Sequence, residues 1–255
     1  MENIPSWLLF LGTALLVVGT IEVGYLLGRT ARRRSENEKE SPVSAISGTV
    51  LALLAFILAF TFGIVSHRYD DRRDLVRDQA DLIRTAYLRS DLLPEPDREQ
   101  SKEIFLTYVA TLVQASSSGH LTNKAEDLDA LHSMELQLWD IAVENVRGGD
   151  TTATSALYVA SLNDMSNVLA ERIVVSVQSR LPTEFWIVLY ILVMLAMIAV
   201  GYQTAIADSG RTWAMLILAC SFSIVITLIA ALDDPERGHI AISQQPMRNL
   251  QAELD

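Results

Sequence analysis

The chain has 255 residues, of which 50% are hydrophobic, and a formal net charge of −11 at pH 7. This acidity excludes nucleic acid as a natural partner, because a protein that binds a phosphate backbone presents a basic face. The apolar residues also collect in four blocks, whereas a soluble domain of this length interrupts its apolar positions with polar ones every few residues. The composition therefore excludes an ordinary soluble domain and predicts an integral membrane protein in a lipid bilayer.

The four apolar blocks are each close to the roughly 20 residues that a helix needs to cross a bilayer. They cover residues 7–27, 45–65, 185–204 and 213–232. The first block follows no basic segment and precedes a cluster of four arginines at 29 and 32–34, so we interpret it as a retained helix rather than a signal peptide. Within it, Gly24 and Gly28 form a small-xxx-small pair, which predicts close contact with another helix.

The second block continues without interruption into the polar sequence that follows it. No glycine or proline occurs between Gly63 and Pro94. Apolar residues recur at helical spacing in this stretch, and charged residues follow one another at three- and four-residue steps. We therefore predict one long helix that starts near residue 45, leaves the bilayer near Ser66 and continues as a stalk.

The rest of the central region predicts three further helices outside the membrane. The first of these helices starts after Pro94 and Pro96. The second is capped by Thr122 and ends at the glycines at 148 and 149. The third runs up to Pro182. Residues 66–183 contain 12 Lys and Arg against 19 Asp and Glu. Such an acidic excess is typical of a solvated surface.

The predicted fold is all-α, with four transmembrane helices arranged as two before and two after a soluble helical central region. The predicted domains are a transmembrane hairpin at 1–66, a soluble helical domain at 67–183, a second transmembrane hairpin at 184–232 and an extended tail at 233–255. The tail has too few apolar residues for another crossing.

The positions of Lys and Arg predict an orientation in the inner membrane of a cell. Nine lie near the membrane on the side of the central region and both termini, and six lie on the other side, which places the central region and the termini in the cytoplasm. Seven of the nine belong to a connection longer than about 60 residues, which counts little in the positive-inside rule. The short loops alone favour the reverse orientation.

Signals of catalysis and metal binding are weak in this sequence. His67, His120, His132 and His239 show no i, i+4 pairing, and the single cysteine, Cys220, lies within the last apolar block. Neither a P-loop nor a G-x-S-x-G motif occurs. We therefore predict that the protein is not an enzyme and has no cofactor and no metal site.

One stripe of the second helix has two interpretations. Phe56, Phe60 and Ile64 follow one another at four-residue steps, with Ala52 one turn earlier. The stripe is either a packing face against the other transmembrane helices or, when several copies surround an axis, the lining of a pore. Rings of phenylalanine would then form a hydrophobic neck that gates by dewetting, and the ring edges would offer weak positive potential to an anion.

The sequence just after the stripe resembles a motif of the bestrophin family. The stretch HRYDDRRDL fits the pattern R-[WY]-x-[DE]-x-R-x-L at Arg68, Tyr69, Asp71, Arg73 and Leu75. In bestrophins a similar signature follows the second transmembrane helix. Two phenylalanines at eight and twelve residues before its arginine form the channel neck.

The resemblance implies that Phe60 and Phe56 are the neck phenylalanines of this chain. The third neck position of the family, usually a branched apolar residue, corresponds to Ala52, which would widen that ring. The order of two transmembrane helices, a long helical part and two more transmembrane helices is also similar to bestrophins. Within the family, the chain resembles the poorly characterised bacterial branch rather than the channels proper.

The tail is similar to a diverged form of the acidic NPFG region of bestrophins. The residues that carry this likeness are Asp233, Asp234, Pro235, Glu236 and Gly238. In eukaryotic members the region takes part in calcium binding. The asparagine and phenylalanine are missing here, so we expect no calcium site.

The resemblance implies a homo-oligomer, a pentamer by analogy, that conducts inorganic ions along the second helix. It favours anions only through the weight of the family. The alternative is a membrane-anchored sensor or scaffold whose helical bundle acts through a partner protein. A membrane enzyme or transporter is disfavoured because the spans contain no paired polar residues.

Overall fold

The structure is a computed structural model that describes residues 5–34, 40–117, 125–149, 153–178, 180–208, 213–234 and 240–254. In these ranges the chain forms α-helices and no strand, which confirms the predicted all-α fold. The helices are α1 (Ser6–Arg34), α2 (Glu40–Arg89), α3 (Asp97–Ser117), α4 (Ala125–Arg147), α5 (Ala153–Gln178), α6 (Thr183–Ile206), α7 (Trp213–Asp233) and α8 (Gln245–Leu254).

Four helices, α1, α2, α6 and α7, are long and apolar enough to cross a membrane. This finding confirms the four predicted transmembrane helices. The second of them, α2, has 50 residues, so at a rise of 1.5 Å per residue it is about 75 Å long and exceeds the hydrocarbon thickness of about 30 Å. The prediction of one unbroken helix is confirmed.

One compact unit contains residues 1–68 and 180–240. In it, α1 packs against α6 and α7. A Cβ atom added to Gly24 would lie 2.1 Å from the carbonyl oxygen of Ile198, and one added to Gly201 would lie 2.0 Å from that of Ile21. Any side chain at these positions would overlap backbone, so the glycines permit the close approach of α1 and α6. The predicted contact at Gly24 is confirmed.

The first part of α2 is fixed to α6 by hydroxyl hydrogen bonds. The Ser47 hydroxyl donates to the carbonyl oxygen of Ala199 at 3.0 Å, and the Gln203 amide donates to the Ser44 hydroxyl at 3.1 Å. Interhelical hydrogen bonds of this kind stabilise helix association where no water competes. The two hydrogen bonds hold one side of α2 against α6.

The second compact unit contains residues 69–179 and 241–255. Its core is formed by apolar side chains from the end of α2 and from α3, α4, α5 and α8. The largest fully buried members are Ile83, Phe105, Tyr108, Leu112, Leu131, Leu138, Tyr158 and Met165. Helix α3 starts directly after Pro96, as predicted, whereas the predicted cap Thr122 lies outside the described residues.

The end of α4 shows why the chain has a glycine pair there. Gly149 has φ 106°, a left-handed conformation that only glycine adopts readily. The amide of Gly148 still donates to the carbonyl of Glu144 at 2.8 Å, and the amide of Gly149 donates to that of Val146 at 3.3 Å. The predicted helix end at this pair is confirmed.

The prediction of an extended tail is wrong for residues 245–254, which form α8. Met247 and Leu250, three residues apart, are buried in the core of the second unit, and α8 packs against α3. The tail has too few apolar residues to cross a membrane, but it has enough for one narrow apolar stripe. Burial of that stripe stabilises a helix that would be marginal alone at ten residues.

Candidate pore-lining face of α2

One side of α2 is buried along most of the helix. Its buried positions follow one another mainly at three- and four-residue steps, as expected for a single helix face. They are Ser47, Leu54, Leu58, Thr61, Val65, Arg72, Val76, Gln79, Ala80, Ile83 and Ala86. This is the side by which α2 packs against its own chain.

The predicted stripe lies on the opposite side of α2. At 100° per residue, Phe56 is about 160° from both Leu54 and Leu58, which are buried. The side chains of Phe56 and Phe60 are 66% and 60% exposed, Ala52 is exposed, and Ile64 is partly buried. The described helices of the same chain therefore do not cover the stripe, and its interpretation as a packing face within one chain is wrong.

Exposed phenylalanine distinguishes α2 from the other spans in the described part of the chain. Its exposed large aromatic residues are Phe56, Phe60 and Phe62, whereas α1, α6 and α7 expose aliphatic side chains and tryptophans, such as Leu15 and Trp213. Aliphatic side chains and terminal tryptophans are typical of surfaces in contact with lipid. Phe56 and Phe60 lie about 40° apart around the helix and form what we call the phenylalanine face, whereas Phe62 lies about 160° from Phe60. The phenylalanine face is thus the unusual apolar surface of the first unit.

The exposed side of α2 changes from aromatic to acidic along the helix. In the same helical register as Phe56 and Phe60, the later turns present exposed carboxylates at three- and four-residue steps. These are Asp70, Asp74, Asp78 and Asp81, and the exposed Asp71 lies next to Asp70 on the same side. The exposed arginines Arg73, Arg77 and Arg84 follow one edge of this acidic row.

The motif residues lie together on α2 at this change. Arg68 and Tyr69 are partly buried, whereas Asp71 and Arg73 are exposed. Sequence reasoning missed the neighbouring Arg72, which is buried. Its position on the buried side, four residues before Val76, is the signal that could have identified it.

A buried arginine joins three segments of the second unit. The guanidinium of Arg172 on α5 donates to the side-chain oxygen of Gln79 on α2 at 2.5 Å and to that of Gln244, just before α8, at 2.9 Å. Sequence reasoning missed this cluster, because its members lie far apart in the chain and side-chain amides belong to no recognisable motif. These hydrogen bonds hold the segment before α8 against α2 and α5.

A second polar cluster joins α3, α4 and α5. The hydroxyls of Tyr108 and Ser166 each donate to the carboxylate of Glu135 at 2.9 Å. Burial, with the nearby Glu135 carboxylate, raises the pKa of the Tyr108 phenol well above its usual range. The phenol therefore stays protonated to a higher pH than an exposed tyrosine and keeps its hydrogen bond to Glu135 there.

The two acidic tail residues, Asp233 and Asp234, form hydrogen bonds that join the end of α7 to the segment before α6. The buried Asp233 carboxylate accepts the backbone N–H of Leu181 at 2.9 Å, and Asp234 accepts from the Arg180 guanidinium at 3.3 Å. Pro235 and Gly238 lie outside the described residues. Within the described ranges, no group of three or more His, Cys, Asp or Glu side chains could hold a metal ion.

Comparison with known proteins identifies the family. The bestrophin-like domain family matches residues 12–247, which is most of the chain. No curated protein sequence matches.

Solved structures show the same fold at low sequence identity. A bacterial bestrophin homologue from Klebsiella pneumoniae carrying a point mutation superposes with a TM-score of 0.69 at 14% identity over 98% of this chain and 97% of that one. Another mutant of that homologue gives a TM-score of 0.63 at 12% identity, over 98% of each chain. A crystal structure described as a membrane protein gives 0.69 at 14% identity over 98% and 97%. The chain belongs to the bestrophin-like family.

Proposed function

We propose that several copies of this chain surround a common axis and form an ion channel whose neck is lined by the phenylalanine face of α2. One chain cannot enclose a pore with this face, because Phe56 and Phe60 point away from the helices of their own chain. Copies related by rotation would bring the faces together. A pentamer is the assembly expected from the family.

The observation that carries the proposal is the exposure of Phe56 and Phe60 in a transmembrane helix. Rings of phenylalanine around an axis form a hydrophobic constriction, which excludes ions when it dewets and passes them when it widens. The small side chain of Ala52, one turn earlier, would leave a wider ring there. Membership of the bestrophin-like family supports the same arrangement.

Anions are the permeant ions expected from the resemblance, and the edges of the phenylalanine rings would favour them weakly. The exposed side of α2 supports a second candidate, a pore that prefers cations. Asp74 and Asp78 follow the phenylalanine face in the same helical register and are exposed. In a ring of copies such carboxylates would raise the local concentration of cations.

Currents in planar bilayers test the pore. Phe60→Ala removes the ring that narrows the neck, so we expect a larger conductance or leak than in the wild type. The matched control is Leu15→Ala, which removes a similarly exposed apolar side chain, 73% exposed, from α1. Equal currents in Phe60→Ala and the wild type, with intact assembly, would overturn the neck assignment.

The reversal potential in a KCl gradient tests the ion preference. A preference for anions shifts it toward the chloride equilibrium potential, and a preference for cations shifts it toward that of potassium. If cations are preferred through α2, the double variant Asp74→Asn, Asp78→Asn reduces the shift. The control Asp164→Asn, which removes an exposed carboxylate from α5, leaves it unchanged.

A further inference from the structure

An apolar stripe on α4 remains uncovered in the second unit. Leu136, Trp139 and Val146 are 51%, 37% and 38% exposed, and Val143 is partly buried. They recur at three- and four-residue steps, so they form one face of α4, hereafter the α4 stripe. The core of the unit takes a different face of the same helix, which includes Leu131 and Leu138.

Acidic side chains border the α4 stripe. Asp129, Asp140 and Glu144 are exposed and lie along the side of the stripe that is away from the core. An exposed aromatic and aliphatic stripe with a charged border is typical of an interface between proteins, in which an apolar centre is surrounded by a polar rim.

Complementary charge is present on α2 of the same unit. Arg73, Arg77 and Arg84 are exposed and lie on one side of α2, with Leu88 one turn after Arg84. We call this surface the α2 arginine row. Arg77 and Arg84 pair with Asp74 at 3.3 Å and with Glu253 at 2.7 Å, but both side chains stay at least half exposed. Exposed ion pairs of this kind contribute little to stability, so the guanidinium groups can exchange these partners for carboxylates of another copy.

We propose that the α4 stripe of one copy packs on the α2 arginine row of the next copy. The aliphatic stems of the arginines and Leu88 would cover the apolar stripe, one guanidinium would stack on the Trp139 indole, and the others would reach Asp140 and Glu144. The inference rests on the proposed assembly of copies and names the surfaces that join them.

The two surfaces differ, so the contact is heterologous. A heterologous contact repeats from copy to copy and closes into a ring when the rotation permits. This geometry matches a pore on a rotation axis, because every copy would present the same face of α2 to the centre. A partner of another chemistry would not require the two surfaces to occur on one chain.

A photo-cross-linker tests the contact without requiring an exact register. Benzoylphenylalanine is introduced at position 139, and chains labelled with light and heavy nitrogen are mixed before assembly so that cross-links between copies carry mixed isotopes. We expect mixed-isotope cross-links from position 139 to residues 73–88. A second variant with the photo-cross-linker at position 136 gives the same result if replacement of Trp139 impairs assembly.

Charge exchange provides an independent readout. Asp140→Arg and Arg77→Asp each weaken the assembly in detergent, and the double variant restores it. Cross-links from position 139 to α4 of another copy, to another protein or to lipid would overturn the inference, as would a double variant no better than the single ones. If the assembly still conducts in that case, the proposed function stands. If the chain is monomeric and carries no current, both this inference and the proposed function are refuted.

Discussion

Replacement of Gly201 by alanine should separate α6 from α1, because the added methyl group would overlap the backbone of α1. A Cβ atom at this position would lie 2.0 Å from the carbonyl oxygen of Ile21 and 2.8 Å from the amide nitrogen of Tyr25. Ordinary contact begins at 3.4 Å, so the two backbones must move apart by about 1.4 Å at this point. Close-packed interiors resist such shifts.

The expected loss follows from two opposing effects. Overpacking of a well-packed site costs typically about 1–3 kcal/mol, and the better helix propensity of alanine offsets up to about 1 kcal/mol of it. Because the clash involves backbone atoms, which cannot rotate away as a side chain does, we expect a net loss of about 2 kcal/mol. The free energy of unfolding in mixed detergent micelles measures it.

Gly19→Ala is the matched control for this variant. A Cβ atom at Gly19 on α1 would have nothing within 4 Å, so this variant keeps the wild-type stability or gains up to about 1 kcal/mol from helix propensity. The reasoning is refuted if Gly201→Ala and Gly19→Ala have the same free energy of unfolding.

Two further predictions concern buried polar groups. Burial raises the pKa of the Tyr158 phenol to about 12, so the stability that comes from its neutral form is complete below pH 10 and declines as the pH rises toward 12. Tyr158→Phe loses only a 3.4 Å contact with Ser101 and should therefore lose less stability than the wild type between pH 8 and pH 11. Thermal melts in which both proteins lose the same stability between these two pH values would contradict this. Asp233→Ala leaves the buried N–H of Leu181 without its acceptor and should lower the free energy of unfolding by about 1–3 kcal/mol. Asp234→Ala, at the more exposed pair with Arg180, should lower it by less than about 1 kcal/mol. Equal losses would show that burial does not decide the effect.

Features encoded by local sequence could be predicted. The length of α2 follows from the absence of helix breakers between Gly63 and Pro94. The close contact of α1 follows from the spacing of Gly24 and Gly28, since small residues four apart let two backbones approach. Gly201 and Ala205 form a second small-xxx-small pair on α6, but which residues of α1 they meet depends on the register of α1 against α6.

Features that depend on distant residues could not be predicted. The buried cluster at Arg172 requires Gln79 and Gln244, which only the folded second unit brings together. The helix α8 forms because Met247 and Leu250 find a core to enter, and a ten-residue segment alone gives little helical signal. The exposure of Phe56 and Phe60 likewise required knowledge of which side of α2 packs inward.

The most direct test of a pore along α2 is chemical modification of a cysteine at position 60 during current recording. The variant Phe60→Cys is made in a Cys220→Ala background, because Cys220 is exposed, and a charged, membrane-impermeant thiol reagent is added to the bilayer chamber. We predict that the reagent changes the current in Phe60→Cys and leaves it unchanged in Leu15→Cys on α1. Currents that do not respond to modification of position 60, in an assembly that conducts, would contradict a pore lined by α2.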